Sequence, residues 1–479
     1  MKLERRVDPF FRPALDALLR EPLAAVVQAL INLRRRNEGL RIAEEKLLPG
    51  EEAFLDSIIA DMAAYMRQHY ASGEFQRAGN TKTHGIVRGE LIVRDDVPLE
   101  WRRGVLAEPR TFRAWVRFAG PGPASPPDIE EVGVLSIATK LMGVPGPKLL
   151  DDERFTQDFM GISAPTFTTP DVRENAKLQA ASLRGTPLFY FINPFDSHLL
   201  DGIMQGLWAR TQTSPFETAY WGCVPYLLGE GRAMQYSFRP RLQTRSRVPR
   251  LPRRPPDHYL RETMAATLAR QDVEFDVLVQ LQTDSHRMPI EHAGVRWPER
   301  LSRPVPVATL RLPRQRFDTP AQLAFAHNLS FNPWHCVPEH RPLGNQNRAR
   351  RRLYWELSRL RQSMNATPHR EPTGDGVFEP ASDGQAPKLV RQRSARRPGR
   401  KKYAPPLSVT NCGMPVRRRR RPEACGSENA LVTGHPGSGA RLPSRGSLSS
   451  DSPPNFVPMI HAPCTNSNWR AMLALRQMK

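Results

Sequence analysis

Apolar positions in the first 80 residues recur every three or four places. Leu23, Val26, Val27, Leu30 and Leu33 form one series, and Phe54, Ile58, Met62 and Met66 another. That spacing puts each series on one side of a helix, so residues 1–80 read as arm and packing helices whose apolar stripes face a core. The period then shortens to two. Val273, Phe275, Val277, Val279 and Leu281 alternate with mostly polar neighbours such as Glu274, Asp276 and Gln280, as a half-buried antiparallel strand does. About seven β-rich runs, separated by Pro, Gly and Asp turns, fall between residues 82 and 315. They predict a barrel or sandwich, and the helical inserts and need for edge control favour a barrel. Residues 346–365 return to the helical period, with strong helix formers, no Gly or Pro, and Leu353, Leu357 and Leu360 on the repeat.

Beyond about Pro380 both periods vanish. Residues 381–479 are rich in Pro, Arg, Ser and Gly and read as a disordered tail that cannot bury enough apolar surface to fold. The tail also explains the charge. It holds 18 Lys/Arg against 4 Asp/Glu, which is +14 of the chain's net +22, leaving +8 for the first 380 residues. A nucleic-acid or anionic surface would therefore be met by the tail, chiefly Arg417–Arg421. No interleaved aromatics or nucleic-acid fold accompany that run, and nucleic acid is set aside as the main partner. A shifted reading frame after Ala381 would produce the same abrupt change.

The five cysteines (Cys223, Cys336, Cys412, Cys425 and Cys464) are odd in number and widely spaced, which speaks against a disulfide framework and for a reducing compartment. The start lacks a signal-peptide pattern, and no apolar stretch approaches the roughly 20 residues of a membrane span. The expectation is a cytoplasmic, soluble protein.

One helical face carries candidate chemistry. Arg350, Tyr354 and Arg361 lie within roughly 40° of one another at 100° per residue. Guanidiniums beside a tyrosine hydroxyl favour the phenolate, a hard anionic oxygen suited to ferric iron. By itself such a pattern is more often a solvated face.

The run LSFNPWHCVPEHRPLGNQNRARRRLY, however, resembles the catalase segment that passes through S-F-x-P and a proline-rich wrap into R-x-x-x-Y. THGIVRGEL, VRFAG and DIEEVGVLSIATKL resemble, in the same order, the family's distal histidine strand, its R-F-S strand, and its acidic turn and G-x-A-x-K run. The similarity spans about residues 80–370, with gaps. The resemblance implies an α+β fold: an antiparallel β-barrel with an N-terminal helical arm (1–80), a barrel haem domain with the distal pocket (81–315), a wrapping segment with the proximal helix (316–380), and the tail (381–479). It implies haem b, with Tyr354 as the iron ligand, Arg350 as its partner, and Arg361 and Arg117 as propionate contacts. It makes His84 the distal acid–base group, and matches Asp128 and Lys140 to the acidic turn and the lysine.

The departures are specific. Thr83 stands where catalases carry valine, as in the allene oxide synthase branch, where the hydroxyl can bond or restrict the histidine. Ser163 replaces the distal asparagine, Ala119 the serine of R-F-S, and Thr81 the arginine of R-x-x-H, while Trp355-Glu356-Leu357 replaces the family's continuation after the tyrosine. Losing donors that orient hydrogen peroxide argues for weak dismutation and for peroxidase-like or organic hydroperoxide chemistry. The expected partner is thus a small peroxide, with an unspecified reductant and room for a homo-oligomer. A haem-binding protein without turnover is the alternative.

Overall fold

The computed structural model describes residues 2–242, 246–251 and 253–375. The tail from 381 onward, with Arg417–Arg421, lies outside the described residues. Nine strands form one antiparallel sheet: β1 (Thr83–Val93), β2 (Thr111–Ala119), β3 (Ser136–Met142), β4 (Thr156–Ile162), β5 (Tyr220–Trp221), β6 (Tyr226–Leu227), β7 (Ala233–Pro240), β8 (Val273–Leu281) and β9 (Val305–Leu312). β1 pairs with both β2 and β9, and β5 bridges β4 to β7 through Ile162–Trp221 and Tyr220–Phe238. Eight strands therefore close into a barrel, and β6 flanks β7. Closure leaves no open edge among the eight. The fold is α+β, with an antiparallel barrel at its centre.

Burial along the strands records what covers each face. In β8, Val273, Phe275, Val277 and Val279 point into the core, while Glu274 and Asp276 reach outward to Arg241. That is the alternation the sequence predicts. In β3 all seven residues are buried, because both faces are covered. Val87, Val116, Phe118, Ile137 and Phe275 fill the barrel interior. On the outer face Ile86, Trp115, Ala138 and Met160 pack against Phe325, Phe331 and Tyr354. Strands with two covered faces lose the regular polar–apolar alternation, so the sequence locates them without assigning their faces.

Nine α-helices are described: α1 (Lys2–Leu15), α2 (Glu21–Arg34), α3 (Glu51–His69), α4 (Val172–Leu183), α5 (Pro187–Ile192), α6 (Leu199–Trp208), α7 (Tyr259–Leu268), α8 (Pro320–Asn328) and α9 (Asn345–Met364), with a π-helical turn, Asp16–Arg20, joining the first two. Capping marks their starts. Asp171 accepts from the Glu174 N–H before α4, and Thr319 accepts from the Gln322 N–H before α8. α9 matches the helix read over 346–365, and Ile58 and Met66 of α3 are buried as expected. The arm differs. In α2 the buried stripe is Ala24, Val27 and Ile31, whereas Leu23, Val26, Leu30 and Leu33 are exposed. The helix is apolar on two sides, and periodicity cannot tell which side meets the core.

Candidate functional site

α9 crosses the outer face of the sheet, and between them lies a cavity of about 530 Å³, within the range of a cofactor site. Val134, Ala138, Met160 and Ile162 line its barrel side; Arg350, Leu353 and Tyr354 line its helix side. The i, i+4 spacing on α9 brings Arg350 to Tyr354, whose hydroxyl accepts a hydrogen bond from Nη2 at 3.3 Å. The Arg350 guanidinium also lies 5.1 Å from the centre of the Tyr354 ring, and its Nη1 is held by Asn347 Oδ1 at 3.0 Å. Burial opposes the charge of Arg350, but Tyr354 and Tyr226 prevail and hold it above its ordinary value.

Three further arginines border the cavity: Arg77, Arg117 and Arg361. Arg117 and Arg361 are buried, and the three sit close enough to oppose one another's charge. Burial and Arg361 push Arg117 down to about 9, and burial pushes Arg361 down to about 10. Burial, then Arg117 and Arg361, lower Arg77 as well. Guanidiniums stay protonated in proteins, so the group carries positive charge that no carboxylate among the described residues offsets. What holds it is the end of α8. Arg77 donates to the carbonyls of Ala326 (3.0 Å) and Leu329, and Arg361 to those of His327 and Asn328, the orphan acceptors of a helix C-terminus. Arg117 donates to Thr83 Oγ1 at 2.7 and 3.1 Å.

The chemistry of this donor set fits a haem. A tyrosine with its arginine faces an apolar cavity, and three uncompensated cations at the border suit a ligand carrying two carboxylates. Neither spacing nor resemblance marks Arg77, since the resemblance places an arginine at position 81, where Thr81 stands. It lies four residues earlier, in a stretch without periodicity, and folding returns a guanidinium to the site from there.

His84, Thr83 and Ser163 are placed differently. None of the three lines the cavity. The Ser163 hydroxyl accepts from the Leu135 N–H at 2.8 Å, and the Thr83 hydroxyl is engaged by Arg117 rather than by His84. His84 occupies a bulge between Thr83 and Gly85 in β1 and is 1% exposed. Its Nδ1 lies 3.7 Å from Asp128 Oδ1 and its Nε2 3.8 Å from Glu131 Oε2, both beyond hydrogen-bond reach. Neither Nε2 nor either Glu131 oxygen has a hydrogen-bond partner. Burial, then Lys82, Arg261 and Arg117, keep the imidazole pKa well below its usual value, while burial and Asp128 raise Glu131 to about 8. At neutral pH the facing pair is thus largely uncharged. Gly120 makes room for it, since a Cβ there would overlap both Glu131 oxygens. Asp128 is anchored by the Leu260 N–H at 2.8 Å and by Lys82 Nζ at 2.5 Å.

Other buried polar groups and the two described cysteines are structural. Lys140 is buried among Glu153, Asp158 and His335, filling with an ammonium the space a metal ion would take. His340 Nε2 accepts from the Val105 N–H at 3.1 Å, and Glu291 is tied to Arg348 at 3.0 Å. Cys223 and Cys336 are buried and unpaired. Among the described residues no helix is long and apolar enough to cross a membrane.

No protein-family model matches the chain, and no curated protein does. Among solved structures it is similar to a fungal catalase, at 16% identity over 80% of this chain and 79% of that one, with a TM-score of 0.50. A bacterial catalase is similar at 15% identity over 73% and 71% of the two chains, with a TM-score of 0.46. The closed eight-stranded barrel and the likeness to the fungal enzyme together give this chain a catalase-like fold.

Proposed function

We propose that this chain binds haem b in the α9 cavity and breaks down hydrogen peroxide or organic hydroperoxides. The observation that carries the reading is the Tyr354–Arg350 pair opening onto an apolar cavity bordered by three uncompensated guanidiniums. Ferric haem, when bound, supplies the iron that reductively cleaves a peroxide O–O bond. Tyr354 would hold the iron through its phenolic oxygen, and Arg350, already bonded to that oxygen, would stabilise the negative charge. Arg77, Arg117 and Arg361 hold the two propionates; Thr83 fixes Arg117 in place. Met160, Ile162 and Leu353 exclude water, which strengthens every charge contact inside. His84, held neutral, would take the peroxide proton at Nε2 and return it to the departing oxygen once that nitrogen turns from Glu131 toward the cavity. In this division of labour residues 81–315 carry the proton chemistry and 316–380 the iron ligand, with 1–80 as the arm.

A second reading, haem binding without turnover, is favoured by one observation: His84 faces two carboxyl groups instead of the cavity. The test is the absorption spectrum of the haem-loaded protein and of Tyr354→Phe. A ferric high-spin tyrosinate spectrum that the substitution abolishes supports the proposal, and an unchanged spectrum rejects it. Adding a hydroperoxide with a reducing dye then separates the enzyme from the silent binder.

A further inference from the structure

The outward stripe of α2 and its surroundings form an apolar surface that the haem reading leaves unused. Leu18 is 74% exposed, Val26 58% and Leu33 82%, and Phe195, between α5 and α6, is 96% exposed. Monomeric soluble proteins rarely display so many large apolar side chains together. The elements are joined in space. The inner stripe of α2 packs on Met204 and Trp208 of α6, and α5 also packs on α6. Arg12 of α1 donates to the carbonyls of Gly206 and Leu207, each at 2.9 Å, and Arg5 to that of Val132 at 2.6 Å.

Those anchor points matter because Val132 and Gly206 both line the cavity and are exposed to solvent. The cavity therefore opens on the border of the apolar surface. Phe191 of α5 and Gln205 of α6 continue the lining inward. Basic side chains stand at the margins. Arg34 and Arg36 are exposed at the end of α2, and Arg184 at the end of α4. The acids nearby are largely engaged, with Asp16 paired to Arg12, Glu21 to Arg296 and Asp196 to Lys177.

We infer that α1, α2, α5 and α6 form a docking surface for an anionic lipid bilayer, which seats the mouth of the cavity against the membrane. Apolar side chains bordered by arginines are the composition of helices that lie in the interface plane. A second copy of the chain is the rival occupant, but it would bring the same exposed arginines, Arg34, Arg36 and Arg184, against themselves, whereas an anionic surface complements them. A bilayer covers the same surface and leaves apolar molecules a route through it. The inference stands apart from haem ligation, since it requires nothing of Tyr354.

The test is co-sedimentation of the purified full chain with phosphatidylcholine–phosphatidylglycerol vesicles. Most of the protein should pellet and remain bound in about 1 M salt, where the Debye length is about 3 Å. The pair Leu18→Glu and Leu30→Glu should lower the vesicle partition at least about tenfold, because both charges would enter the apolar zone. Val26→Trp should add to the emission of the chain's eight tryptophans a blue-shifted component that brominated lipid quenches and that the unaltered chain lacks. Loss of vesicle binding when Arg417–Arg421 are replaced by Gln, with α1 and α2 unaltered, would assign binding to the basic tail and overturn the inference. So would an unquenched tryptophan, or a dimer in light scattering that the two glutamates convert to monomer.

Discussion

The helix wall of the cavity and the strand bearing His84 are built by different means. On α9 the backbone repeat sets Arg350 beside Tyr354, and a 20-residue helix packed on α3 and the sheet keeps them there. Around His84 nothing repeats: a bulge, the Gly120 niche and two carboxyl groups from a turn meet by tertiary folding alone. The helix wall presents its polar groups to the cavity, whereas the strand side turns them away and leaves three buried atoms of His84 and Glu131 without partners. A ligand-holding site can be specified locally. A proton-handling site is specified by what surrounds it.

The largest expected effect is on the helix wall. Tyr354→Phe should weaken haem retention by at least about a hundredfold, beyond the 10–100-fold typical of a lost supporting contact; heating the holo protein while following its Soret band measures it. Next, haem with both carboxylates esterified should bind at least about tenfold more weakly than haem, through lost charge-assisted bonds. In Arg77→Met that preference should shrink, as read by titration; equal binding of both haems to the unaltered chain would remove the arginines from the site.

Two smaller effects probe the strand side. Gly120→Ala should cost about 2 kcal/mol in urea unfolding, the range for overpacking a filled niche, since the added methyl displaces the Glu131 carboxyl. The pH effect is smaller per unit of pH. Glu131 titrates at about 8 in the folded chain against the ordinary 4.5, so between those values the folded state holds more protons than the unfolded one. Stability therefore falls as pH rises through that window, by at most about 1.4 kcal/mol per unit. Glu131→Gln should flatten this slope, and an identical slope in both proteins would assign it elsewhere.

The same contrast decides what the sequence could disclose. Val273 to Leu281 announce their strand because one face is wet, and α9 announces itself by composition and period. The two-residue strands at Tyr220 and Tyr226 are too short for any period, and Leu23, Val26, Leu30 and Leu33 mislead because α2 has a second apolar side. Tyr354, Arg350, Arg361 and Arg117 could be found because spacing or resemblance ties them to one another, and the cavity brings all four together. Arg77 and Glu131 could not. The first is one arginine among many in unpatterned chain, and the second reads as part of an acidic turn until Gly120 and His84 close around it.

The shortest stave of the barrel has a consequence for assembly. β5 joins its neighbours through few pairings, and it arrives only after the long helical insertion that follows β4. Gly222 and Cys223, directly behind it, are part of the cavity wall. The two arcs β1–β4 and β7–β9 can each zip up from neighbouring strands, but the chamber has no complete wall until that distant stave is drawn in. A flat cofactor held there would therefore enter late and rest against the seam that the fewest strand pairings fasten.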